Sequence, residues 1–336
     1  MLHRCFLRAR LLGLIALCMG LSAPHAACAS SSLWESPSHN ALQEFPPLAL
    51  KDPAPILAQS TRTASKIYTG KSSEPPCDSR ESCAQYCLKE SYPQFIATLK
   101  RNRLYFHDGT SMLWDDGRAK SYEESFKEAD LEDQFHFPYP LDGANREKWE
   151  DTSRLRAVEF FKKIYGADEK SVRKNLTKVP WLRGLQSDVY LEVTQINDIA
   201  SRLKRISEAL EKLPAPLLKV ALAPSGGFYW RKIAGSEILS IHSFGIAIDL
   251  NANLSRYWLW DEQRGTKSQR QSRVVPEIVE IFEREGFIWG GRWRHYDTMH
   301  FEYRPEILCF AHLWGALEES GKNPIHTEES NATPQN

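Results

Sequence analysis

The sequence predicts an α+β fold, a small antiparallel sheet with flanking helices, on three observations. Segments that alternate apolar and polar residues, such as 244–250 and 298–303, are scattered among segments with a three-and-four-residue period. The two kinds do not follow one another in the regular βαβ order that a doubly wound parallel sheet requires. The alternating segments are also short, and Asp108-Gly109 offers a hairpin turn between two of them.

Residues 1–29 have the layout of a secretory signal. His3, Arg4, Arg8 and Arg10 form a charged start, and the apolar run 11–21 is too short to span a bilayer. Ala27-Cys28-Ala29 then fits a small-residue cleavage site, with Ser30 as the first mature residue. His25, three before Cys28, argues against a lipoprotein. The expectation is an exported protein of the periplasm or cell envelope, with no membrane span after cleavage. Residues 30–76, rich in Ser, Pro and Ala, read as a linker or loose arm, and 318–336 as a polar disordered tail.

Residues 77–150 read as a β-rich subdomain, with strands at 95–99, 104–106 and 112–114. A helix is expected from Ser153 to Tyr165, stopped by Gly166. Val193, Ile196, Ala200, Leu203, Ile206 and Leu210 predict an amphipathic helix that Pro214 ends, and 217–222 predicts a strand. Pro276 opens a helix that Gly286 closes. The domain 151–317 is the expected catalytic unit.

The 43 basic residues balance 43 acidic ones, which argues against a nucleic-acid-binding protein. A monomer is expected. Four cysteines outlast the signal, Cys77, Cys83, Cys87 and Cys309, and an oxidising compartment allows three pairings of them. The closeness of the first three suggests one local bridge.

Chemistry concentrates in 224–306. His242 and Asp249 stand seven apart in HSFGIAIDLN, and His300 follows in DTMHFEYRPE. Two imidazoles and a carboxylate hold zinc and leave a fourth position for water, the catalytic arrangement. An acid between Ile248 and Leu250 is costly to bury unless it is paired or bound to metal.

These two motifs, with GFYWRKIAG at 227–235 and GFIWGGRW at 286–293, resemble the zinc-dependent D-alanyl-D-alanine carboxypeptidase family. Its relatives include L-alanyl-D-glutamate endopeptidases and the hedgehog signalling domain. The resemblance implies a zinc peptidase of the hedgehog/DD-peptidase fold, cutting either a terminal D-Ala-D-Ala bond or an internal L-Ala–D-Glu bond in peptidoglycan stem peptides. It implies His242, Asp249 and His300 as zinc ligands and Asp297 as the acid–base group. Arg231 is implied as the catalytic arginine that binds substrate carboxylate or oxyanion. Ser240 and His295 are candidate substrate contacts, and Glu302, on the strand face of His300, is a candidate buttress. Strand alternation would put 297 and 300 on opposite faces, so Asp297 must precede the regular strand or sit at a bulge. The competing class is a non-catalytic, zinc-stabilised cell-wall-binding domain, whose mark would be loss of the acid. A serine or cysteine hydrolase has no nucleophile motif to support it.

Overall fold

The computed structural model describes residues 76–141, 151, 154–233, 235–265 and 272–319; the expected signal, nearly all of the arm and the end of the tail lie outside these. Helix α1 (Arg80–Ser91) starts where the Ser79 and Ser82 side chains cap each other's backbone N–H groups. Its face of Cys83, Ala84, Cys87 and Leu88 is buried. The antiparallel strands β1 (Ile96–Lys100), β2 (Arg103–Phe106) and β3 (Ser111–Leu113) follow in that spatial order, and a capping box at Ser121 opens α2 (Tyr122–Glu128). The segment read as β-rich thus carries a 12-residue helix beside its sheet.

Helix α3 (Val158–Tyr165) buries Phe160, Phe161, Ile164 and Tyr165 and stops at Gly166. It starts later than the expected Ser153, which is outside the described residues, because Ala157 takes the cap position. A short helix α4 (Glu169–Arg173) leads to the paired strands β4 (Leu176–Pro180) and β5 (Tyr190–Thr194), and α5 (Ile199–Leu210) follows. Val193 therefore belongs to a strand rather than to the helix its spacing suggested. Asn197 and Asp198, both with φ near +60°, break the chain before α5 begins. The strand expected at 217–222 is instead a 3₁₀ turn, Ala215–Val220. Pro214 and Pro216 bracket its start and lack the N–H a ladder needs.

The sheet that matters for chemistry has the order β6 (Ala247–Asp249), β8 (His300–Tyr303), β7 (Phe287–Trp289), all antiparallel. Helix α6 (Trp258–Gln263) lies between β6 and α7 (Pro276–Arg284), and α7 buries Ile278, Val279, Ile281 and Phe282. Every residue of the central strand β8 is buried. Helix α8 (Pro305–Glu319) closes the described chain and packs against α1. No described helix is long and apolar enough to cross a membrane.

Cys77 pairs with Cys83, and Cys87 pairs with Cys309 across 222 residues of sequence. The first is the expected local bridge, and the second ties α1 to α8. In the chain-entropy picture a loop that long removes on the order of 5 kcal/mol of freedom from the unfolded chain. Replacing Cys87 and Cys309 together by Ser is expected to lower the unfolding free energy by about 2–5 kcal/mol. Urea titration reads this directly, and a loss below about 1 kcal/mol would contradict it.

Candidate metal centre

His242 sits in a 3₁₀ turn, Ile241–Phe244, that enters from Ser240 and leaves through Gly245. Gly245 has φ +68°, a left-handed conformation that favours glycine at the exit. That left-handed residue also explains why the regular strand begins only at Ala247. Asp249 ends β6, and the β6–β8 register pairs it with His300. The ladder itself thus sets carboxylate and imidazole side by side.

Three donors converge. His242 Nε2 lies 3.2 Å from His300 Nδ1 and 3.3 Å from Asp249 Oδ2, and His300 Nδ1 lies 3.0 Å from Asp249 Oδ1. Tetrahedral ligands at metal–ligand bonds of about 2.0–2.1 Å lie about 3.3–3.4 Å apart, close to these separations, with one Asp249 oxygen facing each histidine. The second nitrogen of each ring is also held. His242 Nδ1 is 2.6 Å from the Gly227 carbonyl, and His300 Nε2 is 2.9 Å from Glu302 Oε2. Such outer partners fix the tautomer that leaves the inner nitrogen's lone pair free. The residues therefore fit a divalent metal ion.

Glu302 is buried and braced by cations. Arg156 reaches it with Nε at 3.3 Å and Nη2 at 2.5 Å, and Arg304 Nη1 donates at 3.1 Å. Arg304 Nε donates at 2.5 Å to Glu306, which accepts a further bond from the Tyr92 hydroxyl at 2.9 Å. Burial alone would raise the Glu302 carboxyl, but Arg156, His300 and Arg304 hold it well below the usual range. Burial likewise opposes the charged form of Asp249, and His242 and His300 overcome it. For His300, burial would lower the imidazole, but the hydrogen bonds to Asp249 and Glu302 push it up to about 9.

Asp297 precedes β8, as strand alternation demanded. Its N–H donates to the Gly290 carbonyl at 3.0 Å, and its backbone bridges to Tyr257. A Cβ on Gly290 would sit 2.6 Å from the Asp297 carbonyl oxygen, so glycine permits this approach. Burial and the neighbouring Asp249 charge raise the Asp297 carboxyl to about 6. Its Oδ1 is buried with no hydrogen-bond partner among the described residues. An orphaned carboxylate oxygen beside three convergent donors is what a cation, or a proton in transfer, would satisfy.

The other candidates are spread around this centre. The Arg231 side chain is exposed and donates only weakly, at 3.5 Å, to the Lys232 carbonyl. Its backbone N–H and carbonyl both bond the Ser243 hydroxyl, which ties its loop to the His242 turn. Ser240 is buried, and its N–H donates to the Arg231 carbonyl at 2.9 Å. His295 pairs through Nδ1 with Asp151 and meets the Trp258 ring edge-on at 4.6 Å. The partners missed in the sequence were Gly227, Asp151, Arg154, Arg156, Arg304, Glu306 and Tyr92. One signal was there to find: Glu302, Arg304 and Glu306 alternate through an apolar strand and helix start, a pattern buried only as a network.

Residues 234–303 match a family model described as D-alanyl-D-alanine carboxypeptidase. No curated protein and no solved structure matches the chain.

Proposed function

We propose that this chain, whose residues 234–303 match a family model described as D-alanyl-D-alanine carboxypeptidase, is an exported zinc peptidase hydrolysing peptidoglycan stem peptides. The observation that carries the reading is the convergence of His242, Asp249 and His300 with the Asp297 carboxylate beside it, whose buried Oδ1 has no hydrogen-bond partner among the described residues. Export rests on the signal-like N-terminus, and the substrate class rests on the family.

Zinc held by His242 Nε2, Asp249 and His300 Nδ1 would lower the pKa of water and polarise the scissile carbonyl. Asp297 accepts the proton of the attacking water and returns it to the leaving amine. Its raised carboxyl suits both halves of that shuttle, because it is mostly ionised at neutral pH yet basic enough to be protonated transiently. Glu302 keeps the His300 ring turned, and the Gly227 carbonyl does the same for His242.

The test is metal content with matched activity. The purified full chain is expected to carry about one zinc by atomic emission and to make one defined cut in a muropeptide mixture read by mass spectrometry. Zinc without any cut would favour the non-catalytic binding domain, and no zinc would undo the ligand assignment. The His300 imidazole at about 9 adds a separate readout. At pH 7 the metal-free ring holds a proton that must leave when the nitrogen binds metal. Zinc titration calorimetry in buffers of different ionisation enthalpy is therefore expected to show release of about one proton per zinc at pH 7. A heat independent of buffer would contradict this.

A further inference from the structure

The segment ahead of α3 lies outside the family match, yet it reaches the centre. The Asp151 carboxylate, with no solvent exposure, accepts the His295 backbone N–H at 3.0 and 3.1 Å and pairs with the His295 ring. It also accepts Arg154 Nη1 at 3.3 Å. The Arg154 guanidinium lies 5.6 Å from the Trp293 ring centre and 5.4 Å from that of Phe126. Trp293 in turn sits 5.5 Å from the His300 ring. Arg154 is therefore one aromatic ring away from a metal ligand. Its charge favours the ionised forms of both Asp297 and Tyr257, the two residues joined by a backbone bridge.

The three arginines of this region differ in what they have left to give. Arg156 spends a two-pronged contact on Glu302, and Arg304 is bonded to Glu302, Glu306, Gln134 and the Leu155 carbonyl. Arg154 makes one long bond, to a carboxylate already committed to His295, and its side chain keeps 15% exposure. A guanidinium carries five N–H donors in a rigid fork. Held against two aromatic rings with most donors unspent among the described residues, Arg154 has the form of a carboxylate receptor. His295, set by the same aspartate, adds a further donor next to it.

We propose that Arg154, positioned by Asp151 and flanked by His295, receives the free C-terminal carboxylate of the substrate peptide beside Asp297, so that the enzyme removes a terminal residue rather than cutting an internal bond. This rests on the peptidase reading and deepens it. It moves terminal-carboxylate recognition from Arg231, inside the matched segment, to a residue outside it. The exposed Arg231 side chain is then available to the scissile carbonyl.

The experiment compares two substrates, N-acetyl-L-lysyl-D-alanyl-D-alanine and its C-terminal amide, with the zinc-loaded full chain. The unaltered protein is expected to prefer the acid by about 10- to 100-fold in kcat/KM, the effect of one charged hydrogen-bonded pair. Arg154→Ala is expected to bring the acid-to-amide ratio of kcat/KM to within about twofold of one, because only the acid loses its carboxylate partner. Calorimetric binding of the two peptides to zinc-free protein is expected to show the same loss, independent of turnover. Retention of the preference in Arg154→Ala, or its collapse in Arg231→Ala instead, overturns the proposal. If Arg154→Ala does not fold, Arg154→Lys decides, because it keeps the charge and loses the fork. An unchanged acid-to-amide ratio in that variant overturns the proposal too. A parent protein that cuts both peptides equally, or only an internal bond, sinks the receptor and spares the peptidase. A parent that neither cuts nor binds either peptide sinks both.

Discussion

Asp297→Asn is expected to lower kcat/KM on stem peptides by about 100- to 10,000-fold while leaving zinc stoichiometry unchanged. The amide keeps the shape and the backbone bonds to Gly290 and Tyr257 but cannot accept the proton of the attacking water. Its side chain is not among the three convergent donors, so metal content should not move. The same carboxylate gives the protein an acid limb. Burial and the Asp249 charge raise it to about 6 in the metal-free protein, and a nearby dication favours its ionised form. The base is lost as pH falls, so kcat/KM is expected to drop about tenfold per pH unit below a midpoint at or under about 6. A pH–rate profile flat from about 7 down to about 4, or an Asp297→Asn variant within about threefold of the parent, would remove Asp297 from the chemistry.

Arg304→Met is expected to cost about 3–5 kcal/mol of stability, an effect out of proportion to one side chain. Arg304 is fully buried between Glu302 and Glu306. Methionine fills similar space but leaves Glu302 with Arg156 and His300, and Glu306 with the Tyr92 hydroxyl. The loss should reach the metal as well. Glu302 turns the His300 ring, so a loosened Glu302 is expected to weaken zinc binding by about 10- to 100-fold. Urea unfolding measures the first effect and chelator competition the second. A variant as stable as the parent would mean that the carboxylates are satisfied in some other way. One that is destabilised with zinc affinity intact would uncouple the network from the centre.

What could be read from the residues alone follows from how local each requirement is. Metal binding calls for particular residue types, so His242, Asp249 and His300 stood out from an apolar background as candidates, and the antiparallel ladder then explains how Asp249 and His300 meet. The α+β class was readable for a similar reason, since strand alternation and helical periods are short-range patterns. The braces were not readable. Arg154 and Arg156 sit in a short charged segment that resembles any solvated loop; the Arg156 partner Glu302 is 146 residues away, and Arg154 is tied to His295 only through Asp151, which lies 144 residues from that histidine. Helix α8 was hidden by its own burial. Its sequence, PEILCFAHLWGAL, is apolar on nearly every side and shows no amphipathic stripe. The misplaced start of α5 had the opposite cause, because Val193 in β5 and Ile196 in the turn after it happened to continue the helical spacing, although Asn197 and Asp198 interrupt the chain there.

The Cys87–Cys309 bridge and the Tyr92–Glu306 bond join the first described helix to the last. Glu306 stands only six residues beyond His300, and Arg304 and Glu302 link the two. The network behind His300 thus reaches the first and the last of the described helices. During synthesis, every donor of the metal triangle has emerged before α8 has, yet the brace behind His300 waits for that final helix to meet the first. A chain ending between β8 and α8 would keep the three candidate ligands and Glu302 but lose Glu306 and Cys309, and with them both ties to α1.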